Sequence, residues 1–200
     1  MLPKCGMIGL TGGSGSGKSE AAKVLSGLGA AIIDADRVAR EISNEPQTLA
    51  ALKAELGGIA IDKNGMFARK RVAALAFKDR EFMRKLTGVT HQFIVERIKG
   101  RIREIKETTP ERTIVIDAPI PVEHGFLDQV DEVWVVRADL DERLRRIVSR
   151  DGIHRAEAEA RVGSQLTDAE YEKVADRLID NNGSLLQLKE KLEAIWNSIV

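Results

Sequence analysis

Residues 12–19 read Gly12-Gly13-Ser14-Gly15-Ser16-Gly17-Lys18-Ser19, a complete G-x-x-x-x-G-K-S phosphate-binding loop. Such a loop cradles a polyphosphate with backbone N–H groups, reaches it with the Lys and ligates Mg²⁺ with the Ser hydroxyl. The apolar run 7–11 precedes the loop as a strand, and the apolar spacing over 20–28 predicts a helix after it. The N-terminus of that helix points its positive dipole end at the same anion. This stretch therefore predicts a strand, a loop and a helix that together bind a polyphosphate.

Composition narrows the class of protein. The chain has 200 residues, of which 43% are hydrophobic, and its basic and acidic residues balance at 31 each. One core of this size predicts a single folding unit over 1–200, and zero net charge favours a small-molecule substrate over nucleic acid or a membrane as partner. The single Cys5 excludes an internal disulfide, and the absence of a signal-like apolar segment predicts a cytoplasmic protein. The oligomeric state stays open.

Five apolar runs predict the strands of a parallel sheet, at 7–11, 31–34, 113–117, 132–137 and 177–180. Helical stretches separate them, and near-continuous hydrophobicity is typical of strands that are covered on both faces. We therefore expect an α/β protein, a three-layer α/β/α sandwich of the phosphate-loop NTPase type with a parallel five-stranded sheet. Residues 44–111 break the alternation with helical spacing only, which predicts a helical insertion that caps the acceptor side.

Two carboxylates follow the second predicted strand. The period of two residues sends Asp34 and Asp36 to one side, at or just beyond the end of the strand that shares an edge with the loop. A carboxylate there can take the proton of an acceptor hydroxyl or hold Mg²⁺. Alternatively, Asp36 caps the helix that begins at Arg37, and both interpretations can hold together.

An arginine stripe lies on the helix predicted over 139–151. Arg143, Arg146 and Arg150 share one side of it, and guanidinium groups match phosphate oxygens and keep their charge. The stripe predicts a lid over about 139–165, while the alternative is a solvated face paired with neighbouring carboxylates. Asp117, at the end of the third predicted strand, either reaches Mg²⁺ through water or opens the turn before Pro119. His91 and His124 show no zinc-ligand spacing.

Taken in order, these segments resemble the dephospho-coenzyme A kinase family, whose members phosphorylate the ribose 3′-hydroxyl in the last step of coenzyme A synthesis. The resemblance runs nearly end to end. The residues that carry it are 10–19, Ile33, Asp34, Ala35, Asp36, Ala39, Arg40, Gly65, Arg69, Phe77, Asp117, Ala118, Pro119, Glu123, Arg143, Leu144, Arg146, Arg150, Asp151, Arg161, Gln165, Ala175, Asp176, Ile179, Asp180 and Asn181.

The resemblance implies an ATP- and Mg²⁺-dependent kinase and a role for each site residue. Asp36 would be the general base, Lys18 and Arg146 would stabilise the transferred phosphoryl group, and Ser19 would hold Mg²⁺ together with Asp117. The residues implied at ATP are Gly13, Ser14, Gly15, Ser16, Gly17, Lys18, Ser19, Glu20, Arg150 and Asn181. Those implied at dephospho-coenzyme A are Asp34, Asp36, Arg69, His91, Pro119 and Glu123.

Two other functions fit the loop. Another small-molecule or nucleoside monophosphate kinase would use the same loop and lid with a different cap. A nucleotide-binding switch would need no base, but the chain lacks the N-K-x-D guanine signature. Three residues depart from the family pattern: Glu20 in place of a small hydroxyl residue, Gln92 in place of a Pro, and Pro121 in place of an aliphatic residue. Glu20 weakens nucleotide binding unless its carboxylate points away from the phosphates.

Overall fold

The computed structural model of the chain describes residues 6–118 and 130–199. The strands in this part are β1 (Met7–Thr11), β2 (Ala31–Asp34), β3 (Ile114–Asp117), β4 (Glu132–Arg137) and β5 (Arg177–Asp180). The helices are α1 (Lys18–Gly27), α2 (Ala35–Ile42), α3 (Pro46–Leu56), α4 (Arg69–Lys78), α5 (Arg80–Thr108), α6 (Leu140–Asp151), α7 (Arg155–Gly163), α8 (Asp168–Val174) and α9 (Leu185–Ile199), with a 3₁₀ helix at Gly57–Ala60. Pro119, Pro121, Glu123 and His124 lie outside the described residues.

The five strands form one parallel sheet in the order β2-β3-β1-β4-β5. The register pairs Leu10 with Asp117 and Asp34 with Asp117, so that three strands end side by side. Ligands of open α/β sheets bind at the carboxyl ends of the strands. The parallel five-stranded sheet predicted from the sequence is confirmed, and the loop that follows β1 begins at the same edge as Asp34 and Asp117.

Both faces of the sheet are covered, because alternate residues of each strand point to opposite sides. Trp134 and Val136 of β4 belong to the core cluster that includes α1 and α9, whereas Val133 and Val135 pack with Tyr171 of α8. Trp134 is fully buried. Burial of each large apolar side chain contributes roughly 1.5–3 kcal/mol, so these two layers fix the sheet edge that carries the loop.

Residues 35–103 form a second compact unit. Its apolar cluster is built around Leu52, Ala60 and Val72, and it contains no strand apart from an isolated bridge between Ile61 and Phe67. The unit carries 15 of the 31 basic residues but only 8 of the 31 acidic residues, a formal charge of +7 in a chain with none overall. The balanced composition therefore conceals a strongly basic segment.

No helix within the described residues is both long and apolar enough to cross a lipid bilayer.

Candidate active site

The phosphate loop presents its amides to the site and its carbonyls to the protein. In the described part of the chain, the amides of Gly15, Gly17, Lys18 and Ser19 donate to no protein acceptor. Lys18 and Ser19 are the first two residues of α1, where helical N–H groups have no partner of their own. A row of such amides at a helix N-terminus is a ready anion site. The free amides and the helix N-terminus therefore fit the predicted phosphate site, and the binding of phosphate there stays a prediction.

Glycine is required at two positions of this loop by both conformation and space. Gly15 and Gly17 have positive φ angles of 79° and 97°. A Cβ on Gly15 would lie 2.5 Å from the carbonyl oxygen of Arg143, and one on Gly17 would lie 2.0 Å from Nδ2 of Asn181. Any side chain at either position would strain the backbone and displace α6 or Asn181.

The outward carbonyls of the loop are each held by a side chain. Arg143 Nε donates to the carbonyl of Ser14 at 3.0 Å. Arg146 Nη1 donates to the carbonyls of Gly15 and Ser16 at 3.3 and 3.2 Å, and Asn181 Nδ2 donates to that of Ser16 at 2.8 Å. These bonds turn the peptide groups so that their N–H ends face the phosphate site.

The arginine stripe thus divides into three different environments. Arg146 also donates to Glu142 and to the carbonyl of Asn181, both at 2.8 Å, so each of its three guanidinium nitrogens donates to a protein acceptor. Arg150 forms a bidentate ion pair with Asp151, in which Nε donates to Oδ1 at 2.7 Å and Nη2 donates to Oδ2 at 2.9 Å. The predicted contacts of Arg146 with the phosphoryl group and of Arg150 with ATP stay predictions.

Two carboxyls in this region have strongly lowered pKa values. The hydrogen bond from Arg145, with the charge of Arg146, lowers the pKa of Glu142 to about 2. The hydrogen bonds from Arg150 and Arg161 lower the pKa of Asp151 to about 2. Both carboxylates therefore stay charged at neutral pH and keep their arginines in place.

Sequence reasoning gave no role to Gln165, which contacts the loop directly. Its Oε1 accepts from the Ser14 amide at 2.7 Å. Arg143, treated as one member of a phosphate-facing stripe, is only 5% exposed and pairs with Asp168 at 3.0 Å. Both residues belong to the family pattern, but Gln165 and Ser14 are 151 positions apart, so no local spacing relates them.

A small cavity lies behind the loop. Two buried polar atoms that line it, Arg143 Nη2 and Ser16 Oγ, have no protein partner within the described residues. The cavity measures about 10 Å³, which is room for one water molecule.

Lys18 reaches the neighbouring strand end. Its ammonium group forms an ion pair with the Asp117 carboxylate, and the two side chains are 17% and 10% exposed. Asp34 lies next to Asp117 in the sheet register. The register places both carboxylates at the predicted edge of the sheet, with Asp117 next to the loop strand β1 and Asp34 one strand further away.

Asp36, Arg69 and His91, three of the residues predicted at the acceptor, lie in the helical unit. Asp36 is exposed and is the second residue of α2, which begins directly after β2. Arg69 Nη2 donates to Ser43 Oγ at 3.0 Å, and its guanidinium lies 5.8 Å from the centre of the Phe67 ring. His91 is half-buried on α5.

Two of the three departures can be located. The Glu20 carboxylate accepts from Lys23 Nζ at 2.7 Å on the exposed side of α1, so it is neutralised by its own helix. Gln92 is exposed on α5. The Glu20 carboxylate is therefore paired with a cation of its own helix, and Gln92 carries no charge.

Mg²⁺ fits the oxygen donors at this edge. The Ser19 hydroxyl and the Asp117 carboxylate are hard oxygen ligands, and Mg²⁺ in kinases takes only one or two protein ligands beside phosphates and waters. Consistently, no group of three or more His, Cys, Asp or Glu side chains in residues 6–118 and 130–199 is arranged to hold a metal.

Comparison with known proteins decides the family. The sequence profile of the dephospho-CoA kinase family matches residues 6–187. The chain belongs to the dephospho-CoA kinase family. A dephospho-CoA kinase from Fusobacterium nucleatum is 36% identical over 96% of this chain and 98% of its own length. Another from Corynebacterium glutamicum is 40% identical over 94% and 96%.

A solved structure is similar to this member of the dephospho-CoA kinase family along almost its whole length. It is a crystal structure from Thermus thermophilus, with a TM-score of 0.80, 29% identity and coverage of 97% of both chains. The similarity therefore covers the whole fold and is not limited to the phosphate loop.

Proposed function

We propose that the chain transfers the γ-phosphoryl group of ATP to the ribose 3′-hydroxyl of dephospho-CoA, which gives CoA and ADP. The observation that carries the proposal is the phosphate loop, with four inward amides and Lys18 at a helix N-terminus, in a chain of this family. Such a loop suits the donor side of phosphoryl transfer, which depends mainly on position and charge neutralisation.

Asp36 takes the proton of the 3′-hydroxyl in this proposal. The hydroxyl oxygen forms its bond to the γ-phosphorus, the bond to the β,γ-bridging oxygen breaks, and that oxygen leaves with ADP. An exposed carboxylate beginning α2 is available for this proton. Arg146 adds positive charge from the carbonyl side of the loop, while Lys18 exchanges Asp117 for the phosphate oxygens.

Ser19 and Asp117 hold Mg²⁺ in the proposed complex. The bound ion supplies charge neutralisation on the phosphate oxygens. Asp117 then interacts with two cations, because the same carboxylate also forms an ion pair with Lys18. The ATP contacts that we propose beyond the loop are Arg150 and Asn181.

The acceptor is anionic, and the helical unit is the basic part of the chain. A formal charge of +7 over residues 35–103 supports a polyphosphate-bearing substrate for this unit, where Arg69 and His91 are the proposed contacts. Asp34, Pro119 and Glu123 complete the proposed acceptor set. We place the reaction in the cytoplasm, where the lone Cys5 stays reduced.

The test is ATP turnover by the purified protein with dephospho-CoA, adenylate or shikimate as acceptor. We expect kcat/KM for dephospho-CoA to exceed the other two by about 100-fold or more, since specific acceptor contacts discriminate at that level. The product should carry the new phosphate on the 3′-oxygen by phosphorus NMR. Faster turnover with adenylate would identify a nucleoside monophosphate kinase, and no acceleration by any acceptor would favour a nucleotide-binding switch.

A further inference from the structure

The peptide groups of Ser14 are held on both sides by side chains from one part of the fold. Its amide donates to Gln165 Oε1 at 2.7 Å, and its carbonyl accepts from Arg143 Nε at 3.0 Å. Arg143 in turn donates to Asp168 at 3.0 Å. Ser14 therefore differs from Gly15, Gly17, Lys18 and Ser19, whose amides have no protein acceptor in the described part of the chain.

Both contacts lead to the start of α8. Gln165 lies two residues before Thr167, the N-cap of α8, and Asp168 is the first residue of that helix. A reciprocal capping box joins Thr167 to Glu170, and Tyr171 packs against Val133 and Val135 of the sheet. We call Gln165, Thr167, Asp168, Tyr171 and Arg143 the α8 platform. Because the sheet anchors the platform, Gln165 is held by fixed structure.

The chemistry of Gln165 suits a position beside phosphates. A carboxamide oxygen accepts from an amide without adding negative charge, whereas a carboxylate at the same place would repel the ligand. The side chain also fixes which amides stay available. With the Ser14 peptide held, the amides without a protein acceptor in the described part of the chain are those of Gly15, Gly17, Lys18 and Ser19.

We propose that the α8 platform positions the phosphate loop, with Gln165 as a positioning residue that sets the affinity for the nucleotide phosphates through Ser14. This role concerns the donor site alone and does not depend on which acceptor is phosphorylated. It predicts that the platform controls polyphosphate binding and leaves acceptor binding unchanged.

The first experiment compares Gln165→Met, which keeps the length and removes the acceptor, with Lys173→Met on the exposed side of α8. Calorimetry measures the Kd of ATP and of inorganic tripolyphosphate, and steady-state kinetics measures KM for the acceptor. Loss of one hydrogen bond predicts Kd values for both ligands about three- to tenfold higher in Gln165→Met, with acceptor KM and Lys173→Met at wild-type values. Equal Kd values in Gln165→Met and the wild type would overturn the proposal.

A double-mutant cycle tests whether the platform acts as one unit. Asp168→Asn removes the charge that holds Arg143, and we expect the effects of Gln165→Met and Asp168→Asn on the Kd of tripolyphosphate to be less than additive, because both act on Ser14. Strict additivity would place the two residues in separate roles and contradict a common platform.

A measurement on the unmodified protein covers the case in which Gln165→Met does not fold. Amide hydrogen exchange followed by NMR should show the Ser14 amide exchanging at least about tenfold more slowly than those of Gly15 and Gly17 in the free protein. Tripolyphosphate should then slow Gly15 and Gly17 while leaving Ser14 unchanged. A Ser14 amide that exchanges as fast as its neighbours, or that responds to tripolyphosphate as they do, would refute the proposed contact.

Discussion

The phosphate loop and the helical unit differ in the kind of positive groups that they carry. The carbonyls of Ser14, Gly15 and Ser16 are all held by side chains, so the loop offers fixed backbone donors with few charges of its own. The unit over 35–103 instead carries a formal charge of +7 on long, mostly exposed side chains. We infer that the loop supplies geometry for a ligand common to many kinases, whereas the helical unit supplies charge and selects the acceptor.

The largest expected effect tests whether the helical unit contributes chemistry as well as charge. Asp36→Ala should lower kcat by about 10²- to 10⁴-fold, the usual contribution of a general base. The Kd of ATP should change little, because the loop is untouched. Stopped-flow phosphoryl transfer and calorimetry measure the two quantities.

Glu55→Ala, an exposed carboxylate on α3 of the same unit, is the matched control for Asp36 and should keep wild-type kcat. If Asp36→Ala turned over like Glu55→Ala, the base would have to come from elsewhere. The division of labour between the two regions would then be one of charge alone.

The next largest effect is expected on the Mg²⁺ requirement, when Asp117 at the end of β3 is changed. Asp117→Asn removes the carboxylate that pairs with Lys18 and that we place near Mg²⁺. We expect the Mg²⁺ concentration for half-maximal activity to rise about 10- to 100-fold, as for other residues that support a metal site. Titrating activity with Mg²⁺ measures it.

Asp180→Asn provides the control for Asp117. Asp180 is the last residue of β5, the outermost strand beside β4, and it pairs with Arg137. Its Mg²⁺ dependence should match that of the wild type. An unchanged Mg²⁺ requirement in Asp117→Asn would leave that residue with the structural role of holding Lys18.

Sequence patterns predicted the features that are determined by residues close together in the sequence. Near-continuous apolar runs predicted all five strands, with β3 beginning one residue later than expected, and the register then placed Asp34 beside Asp117. The loop itself is a local motif. The pairing of Glu20 with Lys23 is also local, because residues three apart on a helix are neighbours.

The parts that could not be predicted depend on packing between distant segments. The stripe on α6 was visible, but nothing in its spacing distinguishes the buried Arg143 from Arg150, whose side chain is 61% exposed. Which arginine meets which carbonyl is decided by how α6 lies against the loop. Gln165 reaches Ser14 only because α8 docks on β4. Only the folded chain brings such groups together.

A smaller effect tests selection by charge in the helical unit. Arg69→Ala should raise KM for dephospho-CoA about tenfold, the loss of one charge-assisted hydrogen bond, while kcat and the Kd of ATP stay near wild type. Arg69 is a better candidate than its exposed neighbour Lys70, because Ser43 and the Phe67 ring hold its guanidinium in place. Lys70→Ala is accordingly the control. Equal increases in KM for both variants would mean that the unit attracts its ligand by total charge, without a defined contact.

The smallest effect concerns pH and arises in helices α6 and α7, outside both regions compared above. The pKa of Glu142 is lowered from 4.5 to about 2, and that of Asp151 from 3.8 to about 2. A carboxyl whose pKa is lower in the folded state contributes stability that is complete above its unfolded pKa and is lost as pH falls toward the folded value. Between about pH 6 and pH 8, the denaturant concentration at the unfolding midpoint should therefore be slightly lower for Glu142→Gln and Asp151→Asn than for the wild type. The size of this difference should not change with pH over that range. The difference should narrow below about pH 4.5, since the two carboxyls then bind protons in the unfolded chain while they stay charged in the folded chain. A difference that instead grew on acidification would mean that these carboxylates destabilise α6 and α7, and that the arginines are held by some other group.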